Sequence, residues 1–244
     1  MSVRKAEAVD KIPRAVCYRC MRPEATCLCP FITAKHTWTR FVLLTHPTES
    51  NRKKNGTGRT THLSLSNSEI IVGIDFSEDL HVNALIDDPR HDCRLIYPGR
   101  LALNLSRRDY RPGPGKNPVL FLIDATWPCA KKILRLSGNL QRLPRISFDN
   151  GRPSEFFIKH QPDPMCLSTV ETVHRVLEFF GASGLEDFDA NSGRQLLHPF
   201  RSMIETQIRY AADPDVSSYR PSGGYRHPSR RRPLRKHSHR SIVG

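Results

Sequence analysis

Val119-Leu120-Phe121-Leu122-Ile123-Asp124-Ala125-Thr126-Trp127 is the stretch whose reading decides the fold. Its first five residues are a continuous apolar run with the length and β-branched content of a buried strand. Pro118 precedes the run and Pro128 follows the tryptophan. Residues 129–136 then read as a helix closed by Gly138. A carboxylate thus stands at the carboxyl end of a buried strand, where the chain turns into a helix. In open α/β sheets ligands bind at that edge. A helix N-terminus there offers unpaired N–H donors to an anionic group. An Asp after a strand also serves as a plain turn cap, and a Trp as core filler. The surrounding sequence is what gives Asp124 its weight.

Working outward, strands are expected over 40–44, 69–73, 93–97, 119–123 and 145–148. Helices are expected over 60–66, 78–85, 128–137, 168–180 and 193–211, with a long polar loop over 45–59. In 168–180, Val170, Val173, Val176, Leu177 and Phe180 recur close to a 3.6 period. In 193–211, Leu197, Phe200, Ile204, Ile208 and Ala211 make a second stripe. Strands alternating with helices predict an α/β fold with a mostly parallel sheet and flanking helices. The expected organisation is a loose N-terminus over 1–14, a cysteine knuckle over 15–31, an α/β domain over 32–212 and a disordered basic tail over 213–244.

A chain of 244 residues suits one α/β domain plus small additions. No stretch approaches the roughly 18 apolar residues of a membrane span, and the N-terminus has no apolar leader. A cytoplasmic protein without a membrane partner is expected. The formal net charge is +14. Seven Arg and one Lys, with no acid, fall between Arg220 and Gly244. A polyanionic partner follows, RNA first among them; a solvated tail with no dedicated partner is the bland alternative.

Cys17-x-x-Cys20 and Cys27-x-Cys29 bring four thiols within thirteen residues. Four thiolates close a tetrahedral site, so a structural zinc is expected in preference to free thiols. Cys93, Cys129 and Cys166 are scattered and read as core or pocket-wall residues.

Three loops follow expected strands. The first runs from Thr45-His46-Pro47 to Arg52-Lys53-Lys54-Asn55-Gly56-Thr57-Gly58-Arg59, where glycines let backbone N–H groups approach a ligand and basic residues suit phosphates. It is not a P-loop, because Gly-Lys-Ser/Thr is absent. The second is Tyr97-Pro98-Gly99, and the third holds Asp124. Farther on, Ser168-x-x-Glu171 has the form of a capping box, which explains both residues structurally. His46 is a loop histidine, a type that more often hydrogen-bonds than catalyses.

Taken in order, these motifs are specific. Cys17-x-x-Cys20 with Cys27-x-Cys29, Thr45-His46-Pro47-x-Glu49, the Gly-Thr-Gly-Arg run at 56–59, Asp124-x-Thr126-Trp127 and Ser168-Thr169-x-Glu171 together resemble the DTW-domain family. The resemblance covers about residues 15–210. The family often carries Asn-Thr-Gly-Arg where this chain has Asn55-Gly56-Thr57-Gly58-Arg59, one glycine longer.

The resemblance implies a tRNA-uridine aminocarboxypropyltransferase, which moves the 3-amino-3-carboxypropyl group of S-adenosylmethionine to N3 of a tRNA uridine and releases methylthioadenosine. It also implies a SPOUT-like sheet with knotted cofactor loops. On this reading Asp124 takes the N3 proton. Thr45, His46, Pro47, Tyr97, Pro98, Gly99, Ala125, Trp127, Leu143, Ser168, Thr169 and Glu171 are expected around the S-adenosylmethionine co-substrate. Leu122, Ala125, Trp127 and Leu143 are candidates to wall off its methyl group. Arg52, Lys53, Lys54, Arg59, Lys131, Lys132, Arg135, Arg230, Arg231, Arg232, Arg235 and Lys236 are expected to meet RNA. Two other readings stand beside it: a non-catalytic RNA-binding zinc protein, and an S-adenosylmethionine-dependent RNA methyltransferase.

Overall fold

The apolar run at 119–123 lies in the interior of a six-stranded sheet. The structure, a computed structural model, describes residues 15–52, 56–159 and 163–212. Its elements in chain order are β1 Val16–Cys17, β2 Arg22–Pro23, β3 Arg40–Thr45, α1 Pro47–Arg52, α2 Gly58–Leu63, β4 Ser68–Val72, α3 Leu80–Asp87, β5 His91–Ile96, β6 Leu103–Asn104, β7 Asn117–Asp124, α4 Trp127–Leu136, α5 Gly138–Arg142, β8 Arg145–Ser147, α6 Thr169–Ala182 and α7 Ala190–Ala212. β1 and β2 form a small antiparallel ribbon. The other six strands make one sheet in the order β4-β3-β7-β5-β8-β6. Every pairing in it is parallel.

Side chains alternate between the two faces of a strand. Phe41, Leu43, Leu120, Leu122, Ile96 and Ile146 share one face, covered by α6 and α7. Val42, Leu44, Val119, Phe121 and Leu95 share the other, under α3, α4 and α5. Both faces are buried, which is why β7 reads as an unbroken apolar run. By the same parity Thr45 and Asp124, opposite each other in the β3–β7 register, both belong to the first face.

The connections diverge at this pair. β3 leads through α2, which packs on α6 and α7, to β4 on one side. β7 leads through α4 on the opposite face to β8 on the other side. A sheet whose connections part this way leaves a crevice at the carboxyl ends of the two strands.

The expected strands all form, within one to two residues at each end. The expected 45–59 loop instead contains α1 and the start of α2. Pro47 fits the first helical position, where its missing N–H is not needed. Gly138 does not end α4. The chain turns at Ser137, and Gly138 opens α5 with its N–H donated to Ser77 Oγ at 3.0 Å. Ser137 Oγ accepts from the Phe76 N–H at 3.0 Å, so a distant loop fixes the break. The expected N-terminal arm and basic tail lie outside the described residues, as do Lys53, Lys54 and the Arg52 side chain.

Gly181 shows how closely α6 is packed. A Cβ added there would lie 2.2 Å from the backbone oxygen of Phe188. In a free helix, Gly to Ala gains about 1 kcal/mol. Here Gly181→Ala is expected to lower stability in urea unfolding, because backbone cannot yield as a side chain does. A stabilised variant would contradict this packing.

Candidate active site

Asp124 ends the central strand with 8 % of its surface exposed. Its Oδ1 accepts a hydrogen bond from Thr169 Oγ1 at 2.6 Å, and its Oδ2 accepts one from Thr45 Oγ1 at 3.3 Å. Thr169 is the first residue of α6, so the carboxylate also sits at the positive end of a 14-residue helix. The Asp124 carbonyl accepts from the His46 N–H at 3.1 Å, tying the turn after β3 to the end of β7. Gly58 opens α2 against the same carboxylate: a Cβ there would lie 2.1 Å from Asp124 Oδ2. The glycine is required for close approach, not for an unusual backbone angle.

Burial raises the Asp124 pKa above the ordinary carboxylate value, and the negative charge of Glu49 adds to the rise. The hydroxyls of Thr169 and Thr45 and the charge of Lys159 pull the other way. Desolvation is the largest effect, so Asp124 is a stronger base than a solvated Asp.

The carboxylate faces a cavity of about 650 Å³, within the roughly 300–1,000 Å³ typical of small-molecule sites. Apolar groups from β5, β7, β8 and α4 form one wall, with Ile96, Leu122, Ala125, Trp127 and Ile146 among them. The segment between β8 and α6 supplies the other, including Phe156, Met165 and Leu167. Trp127 meets the Tyr97 ring edge-on, centroids 6.3 Å apart, and the Arg145 guanidinium lies 5.5 Å from the centre of the Tyr97 ring.

Of the residues expected around a ligand, Asp124, Tyr97, Pro98, Ala125, Trp127, Ser168 and Thr169 line this cavity. Thr45 stands behind it, bonded to Asp124. His46 turns its ring back to accept from the Thr48 N–H at 3.2 Å, and Pro47 opens α1. Gly99 lies beside the Arg145 side chain, not on the cavity wall. Leu143 belongs to the opposite face of the sheet, packed with Val42, Leu44 and Leu140. It follows α5, and α5 covers that face, so it cannot wall a ligand at Asp124. Glu171 is buried away from the cavity. It completes the capping box with Ser168 and also accepts from Ser154 Oγ at 2.9 Å and the Glu155 N–H at 2.7 Å. Those bonds anchor the cavity rim to α6.

Glu49, Thr57 and Lys159 also line the cavity. Glu49 stood in the Thr45-to-Glu49 motif without an assigned role. Nothing periodic marks 149–159, where Arg152, Ser154 and Glu155 are held by Glu178 and Glu171 of α6. Cys166 lines the cavity and Cys93 is in the core, as expected, whereas Cys129 is half-buried on α4 and belongs to neither. Lys131, Lys132 and Arg135 are exposed on α4, and Arg59 is half-buried.

A second centre lies at the N-terminal ribbon. The Sγ atoms of Cys17, Cys20, Cys27 and Cys29 all fall within 4.8 Å of one another, and this set could hold one metal ion. Cys17–Cys29 and Cys20–Cys27 are each 3.7 Å apart. As bare thiols they are unequal: backbone N–H groups of Cys20 and Arg19 draw Cys17 down to about 6, while burial and neighbouring thiols push Cys29 up to about 12. Leu28 enters the main core, and Phe31 meets the His198 ring of α7 edge-on. Arg22 is buried, its guanidinium against the Met203 sulfur of α7. Burial lowers its pKa, and the charge of Cys20 opposes that.

The fold and the cavity define an α/β protein with a cavity of small-molecule size at the switch point of a parallel sheet. A DTW domain matches residues 14–208, and the chain belongs to that family. It is 27 % identical over 208 residues to tRNA-uridine aminocarboxypropyltransferase 2 of Macaca fascicularis, covering 82 % of this chain and 65 % of that protein. It is 32 % identical over 171 residues to the Drosophila melanogaster protein of the same name, covering 67 % and 66 %. With tRNA-uridine aminocarboxypropyltransferase A of Arabidopsis thaliana it shares 25 % over 224 residues, 81 % of this chain and 82 % of that one. The chain spans only 65 % and 66 % of the monkey and fly relatives. No solved structure matches the chain significantly.

The bonds to Asp124 make a testable statement about its titration. Thr169 favours the charged form, so Thr169→Val should move the Asp124 midpoint upward. Carboxyl carbon NMR across pH reads it directly. The native chain should already titrate above the ordinary value of about 4. A downward shift in the variant would overturn the arrangement.

Proposed function

We propose that this chain transfers the 3-amino-3-carboxypropyl group of S-adenosylmethionine to N3 of a tRNA uridine, releasing methylthioadenosine. The observation that carries this reading is the buried Asp124 carboxylate, fixed by Thr45 and Thr169 and open to an apolar-walled cavity. The order of motifs and the names of the relatives support the choice of reaction.

The chemistry needs little beyond a base and orientation. The bond from the sulfonium sulfur to the γ-carbon breaks as the bond from uridine N3 to that carbon forms. The electron pair goes to sulfur, giving a neutral thioether. The N3 proton goes to the Asp124 carboxylate, a role worth on the order of 10² to 10⁴ in rate. The sulfonium is already activated, so the chain must choose which carbon faces N3. Leu122, Ala125 and Trp127 are the wall against which the methyl would be turned away.

The same reading makes the sheet SPOUT-like with knotted cofactor loops. The wholly parallel sheet and a cavity built after β5, β7 and β8 support it. tRNA would approach over α4, where Lys131, Lys132 and Arg135 are exposed on the helix that begins at the cavity-lining Trp127. The basic residues of 213–244 add phosphate contacts, which strengthen binding without choosing the base. We place the reaction in the cytoplasm, where reduced thiols suit a thiolate metal site. That metal is zinc on this reading. A tetrahedron with Zn–S bonds of about 2.3 Å has sulfurs about 3.8 Å apart, close to the two 3.7 Å pairs. The ion would be structural, since four protein ligands leave no open position.

Asp124→Asn keeps the shape and removes the proton acceptor. Transfer to tRNA should fall by about 10² to 10⁴, while S-adenosylmethionine binding by calorimetry persists. Nucleoside mass analysis identifies the group moved, and a methyl in its place would reject the reaction. Near-normal turnover would reject Asp124 as the base.

Elemental analysis of the purified chain should find about one zinc, held by four ligands. Cys20→Ser should lose the metal and lower the melting temperature. Metal-free protein with unchanged stability would refute a structural zinc.

A further inference from the structure

We propose that Arg22 is the counter-charge of the four-cysteine centre: its guanidinium balances the negative charge of a metal–thiolate cluster and fastens that cluster to α7. The inference rests on the reading of Cys17, Cys20, Cys27 and Cys29 as a thiolate metal site. It adds a residue that sets the strength of the site without holding the metal.

Charge comes first. An arginine side chain stays protonated in proteins. Buried, it is strongly destabilising unless a negative charge lies beside it. Among the described residues Arg22 is the one arginine or lysine that is buried, with 5 % of its surface exposed. Partly buried arginines elsewhere find a carboxylate: Arg94 pairs with Asp92, Arg175 with Glu178 and Arg201 with Glu155. Arg22 forms no ion pair with a carboxylate of the described residues. Its Nη2 donates to the Met203 sulfur at 2.7 Å. A thioether is a weak acceptor and carries no charge. The neighbouring charge that favours the guanidinium is that of Cys20, itself buried with 6 % exposed.

Position comes next. In the β1–β2 ribbon Arg22 stands directly opposite Cys17. Opposed residues of an antiparallel pair share a face, with Cβ atoms about 4.5–5.5 Å apart. The four Sγ atoms all lie within 4.8 Å of one another. A divalent ion held by four thiolates leaves that cluster with a net charge of two negatives. Four protonated thiols leave it with none. Arg22 therefore meets its counter-charge only when the centre is loaded. From the ribbon its side chain reaches Met203, and Phe31 meets His198 of the same helix. The charge pairing thus spans the junction between the cysteine ribbon and α7.

The experiment uses the full-length chain, purified with zinc, and three variants: Arg22→Met, Arg22→Gln and Arg22→Lys. Zinc affinity is read by competition with a chromophoric chelator. Groups beside a metal site but outside its ligands are worth about 10- to 100-fold in affinity. Arg22→Met and Arg22→Gln should each weaken zinc by about that factor, although glutamine can still donate hydrogen bonds. Arg22→Lys keeps the charge and should retain most of the affinity. Urea unfolding supplies the second readout. With zinc bound, Arg22→Met should unfold at lower urea than the native chain. Stripped of metal under reducing conditions, the order should reverse, because the variant no longer buries a cation without a counter-charge. An equal loss of stability with and without zinc would make Arg22 a packing residue and overturn the assignment. Unchanged zinc affinity in both neutral variants would overturn it as well. A native chain whose four cysteines hold no metal would sink the metal reading itself, and this assignment with it.

Discussion

Asp124 brings a carboxylate to the end of the central strand and leaves 8 % of its surface to water. Removing an ion from water costs several kcal/mol even after relaxation. Each hydrogen bond to a charged group returns about 1.5–3 kcal/mol. The two hydroxyls that meet it come from β3 and from the start of α6. A third element, α2, approaches so closely that only glycine fits at position 58. One strand end thereby dictates where three other elements begin or stop. The offset is incomplete, so the carboxylate stays basic.

Glu171 is buried too, and its setting is the opposite. Ser168, Ser154 and the Glu155 backbone all donate to it. It faces no cavity, and its acceptor capacity is occupied by the protein itself. Two carboxylates at the start of α6, one bonded to Thr169 and the other two residues beyond it, thus divide the work. Glu171 fixes the rim to α6, and Asp124 waits on an open space. The Thr169 hydroxyl belongs to the same helical turn, so whatever holds Glu171 also aims the donor at Asp124.

Much of this was legible in the sequence because both faces of the sheet are covered. A buried parallel strand writes itself as a solid apolar run, and 119–123 did so. Strand parity then puts Asp124 on the face of Leu120 and Leu122. The capping box was readable because its chemistry is local. The strand order was not readable, since pairing depends on long-range contacts. β6 and α5 are too short to show a period. Leu143 was misplaced because an apolar residue after a helix carries no mark of which face the helix covers. Glu49 was visible as a motif residue, but its depth in the cavity follows from α1, which a polar sequence concealed.

The pairing of β3 with β7 also has a kinetic side. Thr45 and Asp124 meet across 79 residues of chain. Closing a loop of that length costs about 4 kcal/mol of chain entropy beyond a constant. That cost must be met before any contact across the pair repays it, which places this topology among the slower folders of its size. On the ribosome, β3 and β4 emerge well before β7. Until β7 arrives, the apolar edge of β3 from Phe41 to Leu44 stands unpaired, and such an edge invites pairing with another chain. Nascent chains of this protein therefore pass through a window of aggregation risk that closes only when the strand bearing Asp124 has been made.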